Sequence, residues 1–256
     1  KSGAAPAIKE ERQPDAGKQY GELFSYTKIP GGYGVTGFIG QNKKTLIFSN
    51  KHNGQPVLNV MASAFAESEV QEAVMYEGIT IIEDSAFKSC VGLKQVIFPL
   101  TLREIGDSAF GGCSNLITAA LPASIEQIGK FAFSGTPLKN IVIPQTVYWI
   151  GEGAFSSCKK ITSVTIPNNI IAIPNGLFKG CERLEQINLP ETIDGIGESA
   201  FEDCTALHSI TIPDTVRNIG EHAFDNVHPK FTMLCQRLSV AEQYARKHDI
   251  KFQIVY

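Results

Sequence analysis

Eight phenylalanines recur along the chain at a nearly fixed interval. They are Phe65, Phe87, Phe110, Phe133, Phe155, Phe178, Phe201 and Phe224, separated by 22 or 23 residues. Self-similarity at this period marks a chain that stacks one small unit on the next, so it limits the fold more than any composition does. Other residues keep the same register. Alanine precedes each phenylalanine except at Leu177. Cysteine follows three residues later at Cys90, Cys113, Cys158, Cys181 and Cys204, with Ser68, Thr136 and Val227 at the remaining positions. Pro99, Pro122, Pro144, Pro167, Pro190 and Pro213 stand eleven residues before their phenylalanines. Ile105, Ile128, Ile150, Ile173, Ile196 and Ile219 stand five before, each followed by glycine except where Pro174 intervenes.

The unit reads roughly L-x-x-[IV]-x-[IL]-P-x-x-[ILV]-x-x-I-G-x-x-A-F-x-x-C. Alternating apolar residues before the proline, as in Val164-Thr165-Ile166, predict a short half-buried strand. Proline ends that strand because it has no N–H to give a ladder. A second extended piece follows, such as Val147 to Ile150, and the glycine is expected to allow a sharp corner. The Ala-Phe-x-x-Cys segment then makes a tight turn or a single helical turn that drops phenylalanine inside. One unit cannot bury its apolar edge alone, and stacking buries it.

The strand part, as in Leu184-x-x-Ile187-x-Leu189, matches the leucine-rich repeat strand. With its Ile-Pro, Ile-Gly and Ala-Phe-x-x-Cys elements, the unit resembles the BspA-like branch of that superfamily over about residues 58–227. The resemblance implies an α/β-type repeat solenoid: a right-handed superhelix of 22–23-residue coils with a parallel β-sheet of short strands, capped at both ends. About seven coils would give a sheet on the order of 35 Å long. Residues 33–60 resemble the degenerate first coil of such proteins, and Ser239 to Phe252 their closing cap. Ser239 and Glu242 have capping-box spacing, so a helix should start near Val240. A last strand, Phe252 to Tyr256, should cover the final coil. The expected organisation is a flexible linker over 1–19 and one leucine-rich repeat domain over 20–256. That domain divides into a degenerate N-terminal coil (20–60), repeats (61–227) and a cap (228–256). Two units depart from the pattern, one with Tyr76 at the proline position and one with Pro174 at the glycine position.

Composition excludes several classes. Basic residues number 23 and acidic residues 26, a net charge of −3, without the basic excess of a nucleic-acid-coating protein. Apolar residues are 43% and charged residues 19%, so the chain as a whole is not disordered. No apolar run approaches membrane-spanning length. The chain starts at Lys1 rather than methionine, which leads us to expect that an upstream segment, such as a signal peptide or lipid anchor, has been removed.

Six cysteines would suggest disulfides in an exported protein. Five of them share one repeat position with Ser, Thr and Val, which is how a small buried residue behaves, so free thiols are expected. No C-x-x-C pair supports zinc. Gly32-Tyr-Gly34-Val-Thr-Gly37 fits G-x-G-x-x-G but lacks the strand and helix of a dinucleotide loop, so a β-hairpin or meander is expected. His52, His208, His222, His228 and His248 share no metal or triad spacing. Neither G-x-S-x-G, H-E-x-x-H nor a P-loop occurs. Asp107, Glu152, Glu198 and Glu221 recur at one coil position and are read as a solvated edge. No catalytic residue, cofactor or metal is expected.

The outward-facing residues remain as candidates for contact. Ile97, Ala120, Val142, Thr165, Asn188 and Thr211 form one strand column, beside Gln95, Thr118, Asn140, Ser163, Gln186 and Ser209. Parallel strands in solenoids commonly present such a face to partners. In the second extended piece, Tyr148 and the chain's one tryptophan, Trp149, are expected to be exposed next to Ile171, with Phe131 nearby. Exposed aromatic clusters favour interaction sites. The resemblance implies a non-catalytic binding protein, secreted or on the bacterial surface, that attaches to host extracellular-matrix proteins or other bacterial cells. A structural or assembly module within a larger surface protein, or an enzyme with an unrecognised cleft, remain alternatives.

Overall fold

Each coil is too thin to own a core, so its side chains are buried by the coils before and after it. The computed structural model describes residues 23–39 and 43–255. The expected linker over 1–19 lies outside them. The chain is a parallel β-solenoid of about ten turns, because the flanking segments add rungs to the seven coils counted from the repeat.

The coils build two sheets, and the coil that ends at Phe155 contributes to the second alone. The first contains Thr45–Phe48, Glu72–Met75, Gln95–Ile97 and Thr118–Ala119, and resumes as Ser163–Thr165 and Gln186–Asn188. Its C-terminal part is Ser209–Thr211, Thr232–Cys235 and Phe252–Ile254. The second runs through Gln55–Val60, Ile81–Ile82, Glu104–Ile105, Gln127–Ile128 and Trp149–Ile150, and resumes as Ala172–Ile173, Gly195–Ile196 and Asn218–Ile219. Pairings between coils are parallel and join equivalent residues, as in Gln127↔Trp149 and Ile128↔Ile150. The third side of the coil is a run of turns. The unit at Tyr76 is regular despite its missing proline, since Glu72–Met75 pairs with strands on both sides.

The phenylalanine ladder is the spine of the core. Neighbouring rings from Phe65 to Phe224 stack nearly parallel, with centroids 5.2 to 6.0 Å apart. Each ring is buried, which stabilises by about 1.5–3 kcal/mol per side chain. The cysteines line up beside the rings, and all six are free and buried. Each repeat thiol donates to the phenylalanine carbonyl one coil back: Cys90 to Phe65 at 2.9 Å, Cys158 to Phe133 at 3.1 Å and Cys204 to Phe178 at 3.2 Å. A small side chain with a weak donor suits that position, which is why Ser68 and Thr136 can occupy it. A hydroxyl ladder lies two residues after the prolines. Thr101, Ser124, Thr146, Thr192 and Thr215 donate to carbonyls of the preceding coil.

The glycine after each isoleucine is not there for a corner. Gly106, Gly129, Gly151, Gly197 and Gly220 have no left-handed φ. Stacked coils approach most closely here: a Cβ on Gly129 would lie 2.4 Å from the carbonyl carbon of Gly106, and one on Gly151 2.4 Å from the nitrogen of Lys130. The sharp turns are made elsewhere. The residue two before each ladder phenylalanine is left-handed, as at Ser108 (φ 54°), Phe131 (φ 53°), Gly153 (φ 60°) and His222 (φ 61°). So is the residue two after it, as at Ser89 and Asp203.

The ends are capped by local structure. Phe24–Ile29 and Gly32–Phe38 form an antiparallel hairpin that contains Gly32, Gly34 and Gly37 and pairs in parallel with Gln55–Val60. At the other end the helix Val240–Lys247 begins at Ser239, whose side chain accepts from the Glu242 N–H. Glu242 reaches back to the Leu238 N–H at 2.6 Å. Phe252–Ile254 then pairs with Thr232–Cys235 at the open edge. Tyr256 lies outside the described residues.

Two outcomes follow. Gly129→Ala should destabilise the protein by about 1–3 kcal/mol or more, the cost of overpacking, because the atoms it meets are backbone; urea denaturation measures this. Burial pushes the Cys158 and Cys204 thiols up to about 12. These two thiols should therefore resist a polar disulfide reagent at pH 8 and react once the chain is denatured.

Candidate functional site

The stacking is interrupted between the coil of Phe155 and the coil of Phe178. In neighbouring coils the residue after the isoleucine donates its N–H one coil back: Gly151 to Ile128 at 2.8 Å and Gly197 to Ile173 at 2.8 Å. Pro174 occupies that position in the Phe178 coil and has no N–H, so the Ile150 carbonyl receives no such bond. Its ring also occupies the place where the other coils need a bare glycine. A second bond goes with the first. Tyr148 N donates to Glu126 O, and Asp194 N to Ile171 O, but Ile171 N makes no counterpart bond to Tyr148 O. Strand pairing accordingly stops at Trp149–Ile150 and restarts at Ala172–Ile173. The two coils stay joined on the turn side, through Gly153 N to Asn175 O at 2.9 Å and Ser157 N to Lys179 O at 2.6 Å.

The result is a wedge-shaped groove of about 580 Å³ on the second sheet. Tyr148, Trp149 and Ile171 line it, and all are exposed, Trp149 by 41%. The Tyr148 hydroxyl accepts from Gln127 Nε2 at 2.8 Å, which fixes its ring beside the tryptophan. Phe131 does not line the groove. Its left-handed backbone turns the ring outward, against the next coil, where a Cβ on Gly153 would lie 2.3 Å from Cε1.

Ile97, Ala120 and Val142 lie on the other sheet. They are exposed, in one column, as are Thr165, Asn188 and Thr211. The first sheet has its own interruption here. Residues 141–143 pair with neither Thr118–Ala119 nor Ser163–Thr165. Their coil is one residue short and carries Pro137 just before Leu138, which makes no counterpart of the bond from Leu116 N–H to Cys113 O. A cleft of about 420 Å³ opens between Val142 and Thr165. The candidate residues thus form two surfaces on different sides of the coil, with Phe131 on the turns.

Other chemistry is sparse. His222 Nδ1 lies 2.7 Å from Asp225 Oδ2, and both residues are exposed. His208 and His228 stack at 3.8 Å. Among the described residues, no group of three or more His, Cys, Asp or Glu side chains is placed to hold a metal ion. No helix among them is long and apolar enough to cross a membrane. The recurring acidic residues do more than solvate an edge: Asp84 and Asp107 accept the N–H groups of Asp107 and Lys130, one coil on. Of the groove residues, Tyr148, Trp149 and Ile171 were legible as exposed positions. The floor and far wall, Ala172, Gly195 and Asn218, were missed. Their signal was a drop to small residues in the column that follows Trp149.

Comparison with known proteins agrees with this architecture. The BspA type leucine rich repeat region matches in six copies over residues 58–182 and 126–251. A leucine-rich repeat protein of Bacteroides ovatus is 27% identical with a TM-score of 0.75, over 85% of this chain and 61% of its own. The chain therefore spans less than two thirds of that protein. A T. pallidum leucine rich repeat protein is 29% identical with a TM-score of 0.69, over 73% of this chain and 89% of its own. One from Eubacterium ventriosum, 17% identical with a TM-score of 0.54 over 85% of this chain and 71% of its own, shares the fold. No curated protein sequence matches the chain significantly.

Pro174→Gly should return the missing N–H and remove the ring. The expected outcome is a narrowed groove, with an amide at 174 protected from hydrogen exchange; an amide that exchanges freely would show that the proline does not hold the groove open.

Proposed function

We propose that this chain, which belongs to the BspA-type leucine-rich repeat family, is a non-catalytic binding module, secreted or displayed on a bacterial surface. It attaches to host extracellular-matrix proteins or to other cells. The observation that carries this reading is the groove. The second sheet repeats the same inter-coil bonds at its other repeat junctions and gives up two of them where an exposed tryptophan and tyrosine stand side by side. Exposed aromatics at a concave site are the usual anchors of recognition.

The first sheet supplies a second contact surface. Its column passes from Ile97, Ala120 and Val142 to Thr165, Asn188 and Thr211 without a charge. A flat, uncharged face with an apolar half suits a protein partner, and the groove suits a group that protrudes from it. A catalytic reading could draw on nothing more than the exposed His222–Asp225 pair.

Replacing Tyr148 and Trp149 together by alanine should leave the circular dichroism spectrum unchanged. It should weaken capture of the protein by immobilised matrix proteins or whole cells roughly thirtyfold, the effect of losing about 2 kcal/mol at a hot spot. Undiminished capture would sink the assignment. Val142→Glu tests the first sheet in the same assay. The assembly alternative draws on the exposed Ile97, Leu100, Ile117 and Val142; size-exclusion chromatography with light scattering separates the two, since assembly requires a dimer or larger species that Val142→Glu dissolves.

A further inference from the structure

Trp149 carries an indole that the protein leaves open. Among the described residues no aromatic ring packs on it, and no acceptor meets its Nε1–H. Its column on the second sheet explains what lies beside it. On the preceding coils the column is filled by Glu104 and Gln127, which pair in register up to Trp149. Beyond Trp149 it drops to Ala172 and Gly195, then rises again at Asn218. The Asn218 amide leans back over Gly195, where a Cβ would lie 2.4 Å from Oδ1. The groove is therefore a trough with an indole at one end, an amide at the other and almost no side chain on the floor. Three coil steps of about 4.8 Å separate its ends.

The rim is polar, and its groups are half used. Asn169 Nδ2 donates to Gln145 O at 2.6 Å, which leaves Oδ1 to accept. Asn175 Oδ1 accepts from Glu198 N at 2.9 Å, which leaves Nδ2 to donate. The Tyr148 and Ile150 carbonyls and the Ile171 N–H lost their inter-coil partners when the sheet opened. Lys130 and Glu152 also line the groove, and their charges cancel.

We propose that this trough is a carbohydrate subsite that takes a neutral pyranose ring. The ring lays its C–H face on the Trp149 indole, and its hydroxyls meet the amides of Asn169, Asn175 and Asn218 and the unpaired backbone groups. This deepens the binding reading above and rests on it. The argument is one of matching chemistry. A hydroxyl donates and accepts at once, and so fits a rim that mixes free donors with free acceptors. An apolar side chain would cover the indole but leave those groups unpaired. An anion would meet Glu152 and find Lys130 as its one cation. An added peptide strand needs two ladder spacings, about 9.6 Å, between the flanking strands. The bond from Gly153 N to Asn175 O holds these coils at one. The volume lies within the range of about 300–1,000 Å³ that takes small molecules.

Trp149 is the one tryptophan in the chain, so its fluorescence reports this site alone. The intact protein is titrated with lactose, cellotriose, mannotriose and chitotriose. At least one should change the emission saturably at millimolar concentration or below. Ala172→Leu, which fills the floor and keeps the indole, should weaken that response at least tenfold with an unchanged circular dichroism spectrum. Asn218→Ala should weaken it less. The proposal is overturned if none of the four sugars gives a saturable change, or if Ala172→Leu responds like the wild type. Capture of matrix proteins before and after enzymatic deglycosylation separates this from the broader reading. Loss of capture on deglycosylation supports the sugar. Capture that survives deglycosylation, yet still falls in the Tyr148→Ala/Trp149→Ala variant, sinks the sugar and leaves the binding module standing.

Discussion

The spacing between coils is the constraint from which the rest follows. Backbone hydrogen bonds hold adjacent strands about 4.8 Å apart, and every element inside must accept that step. A phenyl ring fits it by stacking face to face with an identical ring, which is why one side chain recurs where a mixed core would not pack. A thiol fits by reaching the carbonyl one coil back. At the isoleucine–glycine position the step is so tight that two backbones touch, and there a missing side chain is the adaptation. Serine or threonine after the proline closes the same distance with a hydroxyl. These ladders form one lattice, read at four points around the coil.

The candidate site lies where the lattice is broken, and the break is local by construction. Pro174 removes an N–H and adds a ring at the tightest contact, so both sheet-side bonds to the previous coil are lost. The ring stack continues across the junction, at 6.0 Å between Phe155 and Phe178. The Cys181 thiol still reaches the Phe155 carbonyl at 3.2 Å. Solenoid stability is close to a sum of nearest-neighbour terms, so opening one junction leaves the others intact. A globular core would transmit such a defect.

Periodicity made the interior legible and left the exterior half-read. The stacked phenylalanines, the free thiols and the helix starting after Ser239 all follow from residue type at a fixed interval or a short local motif. The glycine was placed correctly and explained wrongly. Its identity says that no side chain fits, and does not say whether φ or a neighbouring backbone is the reason. The left-handed columns were hidden because Ser, Gly, His, Asp and Phe share them, so the regularity lies in φ and not in the letters. Pro174 stood out as a departure, but its effect on Ile150 depends on a coil 23 residues earlier. The floor at Ala172 and Gly195 depends on their alignment with Trp149.

This places the functional information of such a chain in its exceptions. Inward positions are fixed by the spacing and would look alike whatever the partner. A junction without its ladder bonds costs stability, since carbonyl and amide groups are left without mutual partners, and the lattice gives no structural reason for it. Among the described residues the second sheet opens before Ala172, and the first opens around residues 141–143 and again between Gln186–Asn188 and Ser209–Thr211. The first two come within one stretch, each with a proline, Pro174 or Pro137, and an exposed apolar side chain, Trp149 or Val142. Surfaces on two sides of the solenoid are thus differentiated at the same height along its axis. A partner that wrapped the edge between them would meet both, and the repeats on either side would serve to hold that middle segment in place.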